Sequence, residues 1–487
     1  MVEIVVDTTA GALRGIMLPS GVRLFAGVPF AAPPTGPLRF RPPVLPDPWP
    51  DLRNATSFPP MPAQGPSALA QGTGPVTGCE DCLYLNIWMP EGDGPHPVLV
   101  WIYGGGFDSG SASPPDIGGD YLARRLGAVV VAGNYRLGAL GWLYLADLGG
   151  TAWAGCSNLG LQDQTAALRW VTDNIAAFGG APDNVTVAGE SAGAFSIGAL
   201  LATPAAKGLF ARAILQSGST SRIFPPAVVT RMTTDLLDAL GLEDLDDLLT
   251  VDTETLINVQ SRVVDSDIGQ RNLPGGRSWG VVLDGTILPV DPHTAVEKGA
   301  ARHVELLVGA NRDEVRLFEA IQGDAFRPDD DETLMAEMAR AGAVRPDELM
   351  AAYRRAAAGS DLARLRSMFL TDAIYRVPAL RLAHAQVAAG GSAYLNRFSG
   401  EPYGATLGAC HAADLAYVFG RLTGTPADTP ENRTIADQLI QAWAEFIRHG
   451  DPGWAVYDAE TAGNTRQFGG SADTITETPD ARTWRQP

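Results

Sequence analysis

Short apolar runs rich in β-branched residues alternate with helical patterns along most of the chain, and this alternation limits the possible folds. Strands that alternate with helices predict an α/β fold with a mostly parallel central sheet and helices on both faces. Ligands of such sheets bind beyond the carboxyl ends of the strands. The predicted strands are residues 83–88, 97–103, 128–134, 184–189, 212–217, 304–310 and 393–398.

The length of the chain, 487 residues of which 45% are hydrophobic, is enough for a large core. Helical patterns cover residues 159–178 and 434–450, and the second ends on a histidine and a glycine, as helices often do. The region from about 225 to 375 is mainly helical and indicates an insertion over one edge of the sheet. We predict a single elaborated domain over residues 1–487.

The charge balance is strongly acidic, with 55 Asp and Glu against 36 Lys and Arg and a net charge of -19. Such a surface repels DNA and anionic membranes, so we expect no nucleic-acid partner. The N-terminus lacks the pattern of a signal peptide, and no apolar run approaches the ~18 residues of a membrane span. We therefore expect a soluble, cytoplasmic protein.

The four cysteines are too few for a disulfide framework in a chain of this length. Cys79 and Cys82 form a CxxC pair, but no second CxxC or CxxH accompanies it, so a zinc site lacks ligands. We expect neither a metal ion nor a cofactor.

The pentapeptide G-x-S-x-G occurs twice, as GESAG (189–193) and GRSWG (276–280). A nucleophilic serine in this motif needs a strand before it and a helix after it, so that a strained turn exposes the hydroxyl group. GESAG has that context, whereas GRSWG lies between a loop and a strand. Ser191 is therefore the candidate nucleophile and Ser278 is not; an ordinary glycine-rich turn is the alternative interpretation of GESAG.

A serine nucleophile needs a base that is itself oriented by a carboxylate. His411 lies in GACHAADLAYVFG, where small neighbours leave an imidazole accessible to substrate, ahead of a predicted helix. Asp313 and Glu314 both follow the predicted strand 304–310, and the pattern alone does not choose between them. The chain order serine, acid, histidine is that of α/β-hydrolases. The other histidines suit surface or capping positions: His96, His293, His303, His384 and His449.

A glycine-rich loop, YGGGFDSG (103–110), ends one of the predicted strands. It lacks the GK[ST] ending of a phosphate-binding P-loop and the GxGxxG spacing of a dinucleotide site. In acyl transfer, backbone N–H groups stabilise the charge that develops on the carbonyl oxygen. We predict an oxyanion hole formed by Gly105, Gly106 and Ala192, the last at the start of a helix.

Ordered motifs over nearly the whole chain resemble the type-B carboxylesterases, a family of α/β-hydrolases. The resemblance implies an α/β-hydrolase fold and a Ser-Glu-His esterase, and it selects Glu314 as the acid. Glu190 resembles the charged neighbour that tunes the site in this family. The matching segments are residues 25–43, 80–88, 134–143, 158–180, 189–194, 215–219, 309–315 and 442–452, together with GACHAADL around His411.

Two departures from the family pattern narrow the prediction. Extracellular members often pair the cysteine of EDCLYLN with an upstream cysteine, whose position here is Met61, which implies an unpaired Cys82. The loop begins YGGG, as in cholinesterases, but residues 61–82 contain no tryptophan for the cation–π contact with choline. We do not expect cholinesterase activity.

The sequence therefore predicts serine carboxylester hydrolysis through an acyl-enzyme, with a small to medium ester and water as substrates. The same triad would suit an amide, carbamate or lactone hydrolase, since all pass through the same tetrahedral intermediate. A catalytically silent binding module is the alternative of another class. Trp142, Phe107 and Trp279 are candidate pocket-lining residues, with burial in the core as the alternative. No motif indicates the oligomeric state.

Overall fold

The computed structural model describes residues 4–66, 74–115, 117–458, 463–470 and 474–475. Within these residues, a sheet of 13 strands runs through the molecule beside a separate strand pair. The strands are β1 (Ile4–Thr8), β2 (Gly11–Met17), β3 (Arg23–Pro29), β4 (Arg53–Asn54), β5 (Tyr84–Met89), β6 (His96–Ile102), β7 (Val129–Gly133), β8 (Gly180–Glu190), β9 (Arg212–Gln216), β10 (Ile223–Phe224), β11 (Val281–Val282), β12 (Glu305–Asn311), β13 (Ala393–Phe398), β14 (Thr465–Phe468) and β15 (Thr474–Ile475).

The main sheet has the strand order β1-β2-β3-β5-β7-β6-β8-β9-β12-β13-β14-β15, with β4 beside β2. Neighbouring strands from β7 to β14 in this order are parallel, whereas β1 to β7 and the final pair are antiparallel. The predicted mostly parallel sheet is confirmed, and every predicted strand lies in it within a few residues of its expected bounds. The antiparallel strands β1 to β3 are an addition at one edge.

The central strands are apolar on both faces because helices cover both sides of the sheet. All four residues 129–132 of β7 are fully buried, and so are Val98 and Leu99 of β6. This double burial produces the continuous apolar runs of the sequence instead of the alternation of a half-exposed strand.

The helices connect and cover these strands. Helix α16 ends as predicted, with Gly450 at φ 77° and its N–H donating to the carbonyl oxygen of Phe446. The α-helices are α1 (Gly119–Leu126), α2 (Gly138–Trp142), α3 (Ala146–Gly149), α4 (Leu159–Asn174), α5 (Ala192–Leu200), α6 (Pro226–Leu240), α7 (Thr253–Gln260), α8 (Ile268–Asn272), α9 (Pro292–Glu297), α10 (Arg316–Gln322), α11 (Asp331–Arg340), α12 (Pro346–Ala356), α13 (Leu362–Thr371), α14 (Val377–Ala388), α15 (Leu415–Val418) and α16 (Pro430–His449).

Residues 225–375 are mainly helical, from α6 to α13, but strand β12 of the main sheet passes through this region. The segment therefore both packs beside the sheet and contributes a strand to it. The single domain over residues 1–487 stays a prediction. Across the described part of the chain, no helix has the length and apolar character that crossing a membrane requires.

Candidate active site

Ser191 lies on a sharp turn between strand β8 and helix α5, with φ 52° and ψ −121°. A positive φ is uncommon for a residue with a side chain and costs on the order of 1–3 kcal/mol. Two glycines permit the turn: a Cβ atom on Gly193 would lie 2.0 Å from the carbonyl oxygen of Ile102, and one on Gly189 would lie 2.7 Å from it. The small residues of GESAG thus let α5 pack directly on β6, which explains the local sequence.

His411 lies between Ser191 and Glu314 at the carboxyl ends of the strands. Its Nε2 is 2.8 Å from Ser191 Oγ, and its Nδ1 is 2.7 Å from Glu314 Oε2. The main-chain N–H of His411 also donates to the Glu314 carbonyl oxygen at 3.0 Å. All three side chains are at least nine-tenths buried. The structure therefore brings the three predicted residues into one hydrogen-bonded chain.

Asp313, the other acid left open by the sequence pattern, lies away from the imidazole among arginines. Its carboxylate is 2.7 Å from Arg312, 3.1 Å from Arg364 and 3.7 Å from Arg316. Burial by itself would raise the pKa of Asp313, but the hydrogen bond and charge of Arg312 lower it below the ordinary value. The geometry agrees with Glu314 as the partner of His411.

Glu190 contacts the opposite edge of the imidazole, with Oε1 3.3 Å from His411 Nε2. Burial raises the pKa of Glu190 to about 8, although the neighbouring imidazole opposes the shift. Burial alone would lower the pKa of His411, but the charges of Glu190 and Glu314 together with the Glu314 hydrogen bond raise it to about 9. The ionised forms of Glu190 and Glu314 both favour the imidazolium, and because the pKa of Glu190 is itself about 8, its charge acts fully only above that pH.

Two supporting residues around the triad, Asn311 and Tyr375, have no role predicted from the sequence. Asn311 donates its main-chain N–H to Glu314 Oε1 at 2.7 Å and its side-chain amide to the Cys410 carbonyl oxygen at 2.8 Å. The ring of Tyr375 lies 4.9 Å from the imidazole centroid. The contacts of Asn311 with Cys410 and of Tyr375 with His411 join segments far apart in sequence, so single-sequence periodicity does not reveal them.

The glycine-rich loop lies directly against the nucleophile. A Cβ atom on Gly104 would be 3.1 Å from the Cβ of Ser191 and 2.6 Å from Glu190 Oε2. Gly105 and Gly106 both have positive φ, 103° and 64°, which side chains disfavour. Ala192 is the first residue of α5, so its N–H has no partner within the helix. Gly104 and Ala192 are therefore neighbours of Ser191, and Gly105 and Gly106 follow Gly104 in the same loop.

The remaining candidate residues singled out in the sequence are buried side chains. Ser278 is buried among arginine side chains and has no contact with the triad. Phe107, Trp142 and Trp279 are almost completely buried, and Phe107 packs edge-on against Trp142 at 4.7 Å. Cys82 has a free thiol, as the sequence predicts. No group of three His, Cys, Asp or Glu side chains within the described residues could hold a metal ion.

Comparisons of the sequence and the structure with known proteins match esterases over nearly the whole chain. A family model described as the carboxylesterase family matches residues 2–474. The para-nitrobenzyl esterase of Bacillus subtilis is 36% identical over 483 residues, which are 95% of this chain and 94% of that protein. The fumonisin B1 esterase of Sphingopyxis macrogoltabida is 34% identical over 478 residues, which are 92% of this chain and 83% of that protein. The crystal structure of carboxylesterase EST55 from Geobacillus stearothermophilus has a TM-score of 0.86 and 38% identity, covering 99% of this chain and 100% of that chain. The resemblance and the α/β-hydrolase fold are confirmed.

Proposed function

Because this chain belongs to the carboxylesterase family and is a carboxylic-ester hydrolase, we propose that Ser191, His411 and Glu314 are its catalytic triad. The observation that carries this proposal is the pair of hydrogen bonds on His411, at 2.8 Å to Ser191 Oγ and 2.7 Å to Glu314 Oε2. A base within hydrogen-bond reach of the nucleophile, held by a carboxylate, is the arrangement that activates a serine.

In the first half of the reaction, neutral His411 takes the proton from Ser191 Oγ while the oxygen attacks the ester carbonyl carbon. Glu314 stabilises the imidazolium that forms and holds its orientation. The C–O bond to the alcohol then breaks, and the imidazolium donates its proton to the leaving alkoxide. The acyl group stays on Ser191 as an ester.

In the second half, water attacks the acyl-enzyme with His411 as the base, and the returning proton restores the Ser191 hydroxyl. Each half passes through a tetrahedral intermediate with a negatively charged oxygen. The N–H groups of Gly105, Gly106 and Ala192 are the proposed donors to that oxygen. Removal of one such donor typically costs on the order of 10²–10³ in kcat.

The proposed substrates are small to medium carboxylic esters. Two relatives are named for the hydrolysis of para-nitrobenzyl esters and of fumonisin B1, which indicates that related sites accept chemically different esters. No contact of the described residues favours an amide, carbamate or lactone over an ester.

Hydrolysis of p-nitrophenyl esters of increasing acyl length, by the wild type and Ser191→Ala, tests the proposal. We expect turnover by the wild type and a loss of roughly 10⁴-fold or more in the variant. Ser57→Ala, at an exposed position, is the matched control and should keep the wild-type rate. Mass spectrometry after treatment with an organophosphonate should show one adduct on the wild type and none on Ser191→Ala. Unchanged turnover in Ser191→Ala would contradict the assignment.

A further inference from the structure

Two arginine side chains converge on one hydroxyl group near the triad. Arg222 Nη2 donates to Ser278 Oγ at 2.8 Å, and Arg271 donates to the same oxygen from Nη2 at 3.1 Å and from Nε at 3.3 Å. The serine of the second G-x-S-x-G motif thus holds two guanidinium groups close together. Like charges at this separation repel, most strongly where water is excluded.

Negative charge around this arginine pair is scarce. Among the ion pairs found within the described residues, the one that involves this arginine pair joins Arg271 Nη2 to the Asp108 carboxylate at 3.6 Å. Arg271 is completely buried, yet its Nη1 has no hydrogen-bond partner, and the buried Nε of Arg222 has none either. Buried donors are normally satisfied, because an unpaired one loses the hydrogen bonds it would make to water. The pair therefore has both spare positive charge and spare donors.

Two other buried arginines among the described residues are paired through most of their donors, which gives a comparison for Arg222 and Arg271. Arg136 contacts Asp163 through Nε and Nη2 at 2.8 and 2.7 Å. Arg366 contacts two carboxylates at 2.6 and 2.7 Å, those of Glu337 and Asp267. The guanidinium groups of these two buried arginines are thus matched by carboxylates of the chain. Arg222 and Arg271 are not matched in this way.

The arginine pair lies one aromatic layer from the catalytic centre. The guanidinium carbon of Arg222 is 5.4 Å from the ring centroid of Phe107 and 5.3 Å from that of Phe195. Phe107 follows the proposed oxyanion glycines directly. Phe195 lies one turn beyond Ser191 in α5, with its N–H donating to the Ser191 carbonyl oxygen at 2.9 Å. Tyr375 continues this layer to His411, 6.3 Å from Phe195 and 4.9 Å from the imidazole.

The geometry points to a carboxylate-binding subsite formed by Arg222, Arg271 and Ser278, which selects esters that carry a free carboxylate group. Arginine forks match carboxylate geometry, and a charge-assisted pair out of water is stronger than a neutral hydrogen bond. Burial and the charge of Arg271 lower the pKa of Arg222 to about 10, so its guanidinium remains protonated at neutral pH. This inference rests on the proposed function, because the subsite has a role only if Ser191 cleaves the ester.

A matched pair of substrates tests the subsite. Monoethyl glutarate carries a carboxylate on its acyl chain, and ethyl glutaramate replaces that carboxylate with a neutral amide of the same shape. We expect the wild type to prefer the hemiester by more than ~10-fold in kcat/KM. A second pair, 3-(butyryloxy)propanoate and its amide, places the carboxylate on the alcohol part and shows from which side the subsite is reached.

Variants separate the subsite from general effects of charge and folding. Arg222→Gln should lower the hemiester-to-amide ratio by at least ~10-fold, and Arg222→Lys should retain an intermediate ratio. The control is Arg277→Gln, which removes a positive charge from a half-exposed arginine that contacts Asp265 at 3.3 Å and Asp235 at 3.4 Å. It should keep the wild-type ratio. Because the readout is a ratio of two substrates, partial unfolding does not change it.

The outcomes of this experiment are distinct. If the wild type hydrolyses all the esters and its kcat/KM for each carboxylate ester is close to that for the matching amide, the subsite is wrong and the proposed function stands. An undiminished ratio in Arg222→Gln would also overturn the subsite. If no ester is hydrolysed and the phosphonate does not label folded protein, the proposed function and the subsite are both wrong.

Discussion

Glu190 Oε1 lies 3.3 Å from Nε2 of His411, the same imidazole nitrogen that contacts the Ser191 hydroxyl group. A carboxylate in this position stabilises the protonated imidazole, which cannot act as a base. The pKa of His411 is accordingly raised to about 9. The proposed base is active only when deprotonated, so kcat/KM should rise with pH through the pKa of the free enzyme.

The substitution Glu190→Gln should move the acid limb of the pH profile. Glu190 carries its charge above its pKa of about 8, which is the range in which His411 titrates, and glutamine removes that charge. Neutral imidazole is then favoured, so the midpoint of kcat/KM should shift to lower pH by about one unit or more. The measurement is kcat/KM for a p-nitrophenyl ester between pH 5 and 10. Glu332→Gln, at an exposed position on α11, should leave the midpoint in place. A Glu190→Gln profile that overlays the wild type would show that the contact does not control the base.

Glu314→Gln should slow the reaction far more than Asp313→Asn. An amide at position 314 cannot stabilise the imidazolium and favours the wrong tautomer of His411, so we expect a loss of roughly 10³–10⁴ in kcat. The Asp313 carboxylate contacts arginines instead, and its substitution should cost stability of about 1–3 kcal/mol with kcat within a few-fold of the wild type. Steady-state kinetics and denaturant unfolding of both variants measure this. A larger loss of kcat in Asp313→Asn than in Glu314→Gln would assign the acid role to Asp313.

Gly193→Ala should disrupt the turn that holds Ser191. The added Cβ would lie 2.0 Å from the Ile102 carbonyl oxygen, so α5 must move away from β6. We expect a loss of stability above ~3 kcal/mol or failure to accumulate as folded protein. Gly74→Ala is the control, since its Cβ would meet only Pro66 at 3.5 Å, and it should change stability by less than ~0.5 kcal/mol. Thermal unfolding measures the effect, and a Gly193→Ala protein with the melting temperature of the wild type would refute this packing argument.

Arg136→Met should destabilise the protein strongly. The ion pair between Arg136 and Asp163 is almost fully buried, with side-chain exposures of 3% and 0%, so the substitution leaves a buried carboxylate unpaired. Such losses cost about 3–5 kcal/mol. Arg354→Met breaks the exposed pair with Asp331, with exposures of 46% and 51%, and should cost at most ~1 kcal/mol. Urea unfolding midpoints compare the two, and similar shifts would contradict the role of burial.

The sequence predicted the parallel strands and Ser191 because their signals are local. Buried strands are continuous apolar runs, and the tight packing of α5 against β6 requires glycines at fixed positions around Ser191. The choice between Asp313 and Glu314 was not local, since both follow the same strand. Their side chains diverge in the turn, one toward three arginines and the other toward the imidazole. Only the family resemblance could select Glu314 beforehand.

The arginine pair could not be predicted from the sequence. Arg222 and Arg271 are 49 positions apart and meet at the Ser278 hydroxyl group only in the tertiary structure. The local pattern around Ser278 is a second G-x-S-x-G motif without the strand-to-helix context that a nucleophile requires. That pattern contained no sign of the contacts that the hydroxyl group makes, because hydrogen-bond partners are a property of the tertiary structure.

The double connection between His411 and Glu314 has a consequence for how the enzyme meets its substrates. The two residues are joined by a main-chain hydrogen bond of 3.0 Å and a side-chain hydrogen bond of 2.7 Å, so rotation of either side chain would break the second bond. The proposed catalytic machinery is therefore assembled before any ester arrives, and binding need not supply energy to align it. We therefore expect discrimination among esters to depend on how each one fits the binding site and not on alignment of the triad.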